Sequence, residues 1–421
     1  EKEIEGCIKS IESYAEEREK IELLIDYFSM RKDKYQALSR IGITKNTFVI
    51  SGYIPEKYAG VIVGELESKF TVAVTLSTPA DDEDVPVLLE NRDFAAGVES
   101  VTEMYALPSK RDIDPNPVMA FFYYLLFGMM LSDAGYGVLM VAGTAIVLRK
   151  FNVEGSLRKT LKMFFYCGIS TIFWGALFGS WFGDIVPIVC REFFGYNPPS
   201  IALWFEPVAD PIRLLLFSFG IGIIHLFAGL AVSFKMAWDE GRKLDAILDT
   251  VPIYLIVLGA APLGAGILAD VPPILAEIGK YLALAGVVLV VLTAGRSSKN
   301  IFARIGGGLY ALYNIASGYF SDILSYSRLL ALGLATGSIA GVINLMGTMP
   351  KNLVVKGILL TVVFIVGHPL NMAINLLGAY VHTNRLHFVE FFSKFYEGGG
   401  RAFNPLKANT KFIKLKEEIQ K

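Results

Sequence analysis

Seven apolar runs occupy most of the chain beyond residue 116: Val118–Leu148, Leu161–Phe182, Ile212–Trp238, Ala246–Leu268, Ile274–Thr293, Ile315–Met346 and Leu353–Phe392. As helices, runs of this length match a hydrocarbon core of about 30 Å. The first run is too long for one crossing, since its roughly 31 residues would span about 46 Å. Gly128, Asp133, Gly135 and Gly137 mark a break that splits it into two short passes, giving eight crossings. Gly175, Gly179 and Gly183 recur every four residues and predict a close-packing helical face. Gly306–Gly308 are expected to interrupt helicity before the sixth run, and Gly398–Gly400 to end the last helix.

The pattern before residue 116 is different. From Glu1 to about Leu38 apolar residues recur at Ile4, Ile8 and Ile11, then at Ile21, Leu24, Ile25 and Phe28. So narrow a stripe suits a coiled-coil seam or an ordinary surface helix. Thr47–Pro55 reads as a strand, Glu56–Lys69 as a helix and Phe70–Leu76 as a second strand, one β-α-β unit. Asp81–Asp84 is an acidic solvated turn, and the prolines between Val85 and Pro117 mark a linker. The fold class expected is therefore a mainly α membrane protein. An eight-helix transmembrane domain (116–395) follows part of a cytoplasmic α+β lobe and coiled-coil arm (1–115) and precedes a cytoplasmic tail (396–421). The chain begins in mid-helix without Met, which suggests an N-terminal truncation.

Polar residues in the last two runs are not scattered. His368, Asn371, Asn375, Gly378, His382 and Arg385 follow steps of three and four, so a membrane-length helix carries a lengthwise polar stripe ending in a fixed charge. Ser321, Ser325 and Arg328 share a face in the preceding run, with Asp322 on another face. A charge at bilayer depth costs at least about 2.5–3.5 kcal/mol, so both arginines should face protein or a wet cavity. The plain alternative is snorkelling arginines and helix-gluing amides. Two guanidiniums in one pocket need an anion between them, and arginine attracts a carboxylate without exchanging protons with it. Arg328 has no obvious acidic partner in its own helix, so that partner is expected on another subunit.

Composition agrees with the pattern. The chain is 53% hydrophobic and 19% charged, and its mean hydropathy is +0.48. Its net charge of −1 combines an acidic first 115 residues with a basic remainder. Arg149, Lys150, Arg158, Lys159, Lys162, Arg242, Lys243, Arg296, Lys299 and Arg304 cluster between runs, whereas Asp184–Asp210 and Asp270–Glu277 are acidic. Basic loops stay in the cytoplasm; with the soluble N-terminal part also there, Val118–Leu148 crosses twice and both termini are cytoplasmic, whereas a single tilted helix, the alternative, would put the acidic lobe outside. Cys7, Cys167 and Cys190 form no metal or redox spacing. His368 and His382 lie about 21 Å apart along a helix and cannot share an ion. Nucleotide-loop and hydrolase motifs are absent, so no catalytic residue, cofactor or metal is expected, and no nucleic acid.

Phe127–Gly137 (FGMMLSDAGYG), Tyr326–Leu334 (YSRLLALGL) and the stretch from His382 to Leu406 resemble the membrane stator subunit of V/A-type rotary ATPases, subunit a or subunit I. The resemblance implies a two-lobed cytoplasmic arm, eight membrane helices, and two long tilted final helices packed on a proteolipid ring. It makes Arg328 and Arg385 the arginines facing the ring carboxylate. Glu390, five residues and about 140° beyond Arg385 on an ideal helix, falls in the cytoplasmic-side ion path. His368, Asn371, Asn375, His382, Ser321, Ser325, Asp322 and Asp133 are candidate half-channel groups. The resemblance also implies as partners the proteolipid (c/K) ring, a central-stalk cap subunit, peripheral-stalk E/G-type subunits and soluble A/B ATPase subunits, in the plasma membrane of a bacterium or archaeon. Asn375 stands where eukaryotic members carry a glutamate, Thr336 where they carry a histidine, and Asn384 where leucine is common, which favours a prokaryotic A-type complex. A secondary transporter binding an anion at the arginine pair, or a structural membrane anchor, are the rival readings.

Overall fold

The computed structural model describes all residues except 1–3, 7–13, 15, 16, 81, 82, 152, 154, 269–271, 295, 297–300, 406–409, 411 and 413–421. Expectations on Ile8, Ile11, Cys7, Asp81, Asp82, Asp270, Lys299 and the end of the tail fall outside the described residues. The chain forms two compact units, Glu1–Leu88 with Arg401–Lys421, and Leu89–Gly400.

In the first unit α1 (Arg18–Leu38) exposes Ile21, Leu24, Ile25 and Phe28, while Asp26 on the same helix is buried and accepts a hydrogen bond from the Phe412 amide. β1 (Gly42–Ile43) and β2 (Phe48–Val49) form an antiparallel hairpin closed by the Thr44 amide on the Thr47 carbonyl. α2 (Glu56–Lys69) follows Pro55 and carries an acid in its first turn and a lysine in its last, as the helix dipole favours. The expected strand at Phe70–Leu76 does not form: residues 72–80 have no regular structure. A strand needs a neighbour to take its backbone groups, and the described residues pair none with this segment. β3 (Pro86–Val87) pairs in parallel with β4 (Arg401–Ala402).

The second unit is helical. Short α3 (Asp93–Ala96) and α4 (Glu99–Tyr105) precede α5 (Asn116–Leu131), α6 (Ala134–Lys150), α7 (Gly155–Phe178) and α8 (Ile185–Phe194). α9 (Pro211–Asp239), α10 (Lys243–Leu268), α11 (Pro273–Thr293), α12 (Ile301–Ser325), α13 (Ser327–Thr348) and α14 (Leu353–Arg385) follow. Among the described residues six helical stretches are long and apolar enough to cross a membrane, the longest being Phe302–Thr348 (47 residues) and Leu353–Lys394 (42 residues).

The first apolar run breaks where its glycines and aspartate mark it. Ser132 takes a left-handed φ of 36°, and Asp133 caps α6 by accepting the Tyr136 amide. α7 then runs beside both halves. Tyr124 of α5 packs on Tyr166 and Gly128 abuts Ser170, whereas Ala134, Gly137 and Val141 of α6 abut Gly175, Ile172 and Gly168 in turn. The first order is parallel and the second antiparallel, so α5 and α6 are a hairpin. α3, α4 and the start of α7 share one end of the unit, held by Lys159 on Glu99 at 2.7 Å and Lys162 on Asp93 at 2.7 Å. The lysine holds the Asp93 carboxyl below its usual range.

Two glycine expectations change. α7 ends at Phe178, so Gly179 (φ +75°) and Gly183 (φ +67°) lie in the following loop and share no helical face with Gly175. Gly306–Gly308 do not interrupt α12, since Gly308 lets it approach the Val291 backbone so closely that a Cβ would stand 2.5 Å from the Val291 carbonyl oxygen. The irregularity comes later, at Tyr326 between α12 and α13, where the Tyr326 amide bonds Ile323 O and the Leu329 amide bonds Tyr326 O.

Candidate functional site

α13 and α14 are antiparallel neighbours. Gly347 abuts Leu360, Gly367 abuts Ile343, the Asn371 amide group reaches Thr336 O, and Gly378 abuts Leu332. That register brings Arg328 to the level of His382, which lies in the field of both Arg328 and Arg385. Beyond Arg385 the helix widens into one π turn, Leu386–Phe391, and then tightens into a 3₁₀ turn, Phe392–Lys394. The sixfold stretch carries Glu390, so its 140° phase from an ideal helix does not hold. The turn buries the Glu390 carboxylate and points it at Arg328, Nη1 to Oε1 3.6 Å. Arg328 therefore has an acidic partner in its own chain, correcting the expectation of an external one alone. The contact is long for a hydrogen bond, and Arg328 Nη1 and Glu390 Oε2 have no partner among the described residues. Ser325 also faces this carboxylate, while Ser321 is exposed. One turn below, Asp322 is bonded by Lys394 Nζ at 2.5 Å, and that ammonium lies over the Tyr319 ring.

The stripe on α14 divides in two. His368, Asn371 and Asn375 are buried, Gly378 and His382 are half-buried, and Arg385 is exposed. Arg385 continues a different line, the exposed apolar side chains Ile374, Leu377 and Val381 at steps of three and four. No ion pair is recorded for it among the described residues. An ideal helix drifts in phase over 17 residues, which carries one sequence stripe from the buried face to the free one.

The buried part of the stripe is a hydrogen-bonded chain. His368 joins Tyr136 Oη (2.8 Å) through Nδ1 and Asn344 Oδ1 (2.9 Å) through Nε2. Asn344 donates to Phe182 O and to Asp184 Oδ1 at 3.0 Å. Asn371 donates to Tyr136 Oη, and Asn375 donates to Asn371 Oδ1 at 2.6 Å. Asp133 stands apart from this line: its two oxygens accept from Ser180 Oγ and from the amides of Tyr136, Phe182 and Gly183. It holds the α5–α6 turn against the loop after α7. Nearby, Lys356 on Glu192 holds that carboxyl below its usual range.

Two cavities flank these groups. One of about 760 Å³ is lined by Arg111, Arg242, Asp245, Asp249, Lys394 and Glu397, among others. The other, about 540 Å³, lies between the Ser180–Asp184 loop and the Gly333, Gly337 and Gly341 face of α13. Among the described residues no three His, Cys, Asp or Glu side chains gather as a metal site.

Sequence reasoning missed Tyr136, Asp184, Asn344, Lys394 and His225. The first three lie on other elements, and only tertiary contact brings them to the stripe, while Lys394 ends the α14 stretch and shows its role only through its bond to Asp322. His225 is a lone imidazole in an apolar run, fully buried and 2.8 Å from Tyr326 Oη.

The sequence has relatives among known proteins. The chain is 34% identical over 403 residues to the A-type ATP synthase subunit I of Thermococcus kodakarensis, covering 92% of this chain and 58% of that one. To the protein of that name from Methanocaldococcus jannaschii it is 32% identical, covering 98% and 62%. To the V-type ATP synthase subunit I of Chlamydia pneumoniae it is 27% identical, covering 78% and 56%. The chain spans about three fifths of the length of these curated relatives. Residues 3–188 and 316–408, which hold the Asp133 turn, both arginines and Glu390, match one family model, and the chain belongs to the V-type ATPase 116kDa subunit family.

Proposed function

We propose that this chain is the ion-translocating stator of a prokaryotic A-type rotary ATPase, a non-catalytic subunit whose partners make or hydrolyse ATP. The observation that carries the reading is Arg385. It stands on the free apolar stripe of α14, level with the Arg328–Glu390 pair across the register. A guanidinium left facing lipid is costly, so that stripe calls for a protein cover that brings a carboxylate. A rotating proteolipid ring supplies both. Close approach of a ring carboxylate to two fixed positive charges is worth several kcal/mol at an effective dielectric near 20, and it drives out the bound ion.

The two cavities support offset half-channels. The larger opens beside Lys394 and Asp322, one turn from Glu390, and the smaller opens beside Asp184, which is joined to His368 through Asn344. The division into arm (1–115), membrane domain (116–395) and tail (396–421), eight crossings with cytoplasmic termini, and contacts to ring, cap, peripheral-stalk and A/B subunits belong to this proposal.

The test is ATP-driven ion uptake by the assembled complex in vesicles, with and without sodium and a protonophore. Uptake that stops with Arg328→Ala, together with copurification of a proteolipid ring, supports the reading. A chain that transports an anionic solute alone overturns it.

A further inference from the structure

Both functional helices are irregular next to their arginine. The Tyr326 turn lies two residues before Arg328, and the π turn Leu386–Phe391 begins directly after Arg385. Irregular turns of this kind hold side chains in phases that a regular helix cannot offer. Such a turn stays put only if something outside the helix fixes it. These two meet on one side chain of a third helix, α9.

That side chain is His225. Its Nδ1 and Tyr326 Oη are 2.8 Å apart, a hydrogen bond either can donate, and the two rings are edge to face. Its other face stacks on Phe391, centroids 4.6 Å apart and planes 14° apart. Phe122 of α5 closes the box at 4.6 Å. α9 is shaped for both neighbours. A Cβ on Gly222, one turn before, would stand 2.5 Å from the Tyr326 ring, and one on Gly229, one turn after, 3.2 Å from the Phe391 ring. The imidazole has a cost, because the Nε2 atom of His225 is buried without a hydrogen-bond partner among the described residues. A phenyl ring would fill the same box and remove the unpaired Nε2, but it would leave the buried Tyr326 Oη without its partner. The only addition an imidazole makes is the bond to Tyr326.

We propose that His225 is a positioning residue for ion translocation: by bonding Tyr326 and stacking on Phe391 it locks the two irregular turns together and so sets Arg328 opposite Glu390. The inference rests on the stator reading above. It gives α9, which contributes none of the charged groups, control over their separation.

The experiment uses the assembled membrane complex carrying the full-length chain, with assembly read by copurification and coupling read as ions moved per ATP hydrolysed. His225→Phe keeps the stack and loses the bond. It should assemble normally and lower coupling about tenfold, the lower end of what outer-shell partners cost at other charged sites. Tyr326→Phe should do the same, and the double variant should be no worse than either single one, because both remove one bond. His225→Asn, whose side chain offers a polar atom near the place of Nδ1, should restore much of the coupling. Normal coupling in His225→Phe, additive losses in the double variant, or failure of both His225→Phe and His225→Asn to assemble would each overturn the inference. Arg328→Ala run alongside separates the two levels. If it couples normally, the stator reading itself fails. If it is inactive while His225→Phe couples normally, only the positioning role fails.

Discussion

The Arg328 guanidinium stands 3.6 Å from the carboxylate of Glu390, 62 positions along the chain and buried to 1% exposure. A charge pair held this loosely can be exchanged: in the proposed function a ring carboxylate would take Arg328 while Glu390 is released. The consequence for mutation is asymmetric. Arg328→Ala leaves a buried carboxylate without its cation, a loss that costs about 3–5 kcal/mol when the site stays dry. The single variant should therefore lose ion pumping and assemble in reduced amount. Adding Glu390→Gln should restore assembly and leave pumping absent. Pumping by either assembled variant at the wild-type rate would refute the role given to Arg328.

Glu390→Gln alone keeps the volume of the side chain and removes its charge. Assembly should be unchanged and ion flow slower by about tenfold, since in the proposed function the group lines the ion path. A wild-type pumping rate would make Glu390 a plain buried acid.

Arg385 lies on an exposed apolar line with no ion pair among the described residues, so its removal leaves no charge unpaired among them. Arg385→Leu should keep the subunit's thermal stability within about 0.5 kcal/mol, as surface changes do, while uncoupling ATP hydrolysis from ion uptake in the complex. A variant that instead melts early would place the arginine in an internal contact.

Asp322 and Lys394 join α12 to the end of the α14 stretch with both side chains under one fifth exposed. A double-mutant cycle of Asp322→Asn and Lys394→Met should give a coupling energy of about 1 kcal/mol or more, above that of open surface pairs. A value near zero would show the bond to be replaced by water.

Ser156, in the first turn of α7, and Ser200, after α8, are both exposed, and cysteines placed there should label from opposite faces of sealed vesicles. Labelling from the same face would break the alternation on which the crossing count depends.

Much of the site's content was legible in the sequence. The break at Asp133 showed because glycine and a buried acid are costly inside an apolar helix. The α14 stripe showed because its members repeat at helical spacing. What could not be read was phase. Arithmetic on an ideal helix put Glu390 about 140° round from Arg385, and the π turn, which packs on α9 through Phe391, holds it at Arg328 instead. Gly306–Gly308 looked like breakers, but close approach to Val291 uses them as helix. The strand expected at Phe70–Leu76 had the right composition and lacked a partner, which no composition reveals.

The hairpin of α5 and α6 has a consequence for the lipid around it. With 16 and 17 residues its arms are about 24 and 26 Å long, shorter than a bilayer core of about 30 Å. As two passes, they draw the membrane surface inward by about 5 Å toward the Asp133 turn. The cavity beside Ser180 and Asp184 lies at that turn. In the proposed function water would reach that cavity across such a dimple, and thinning of the lipid would shorten the ion's approach to it.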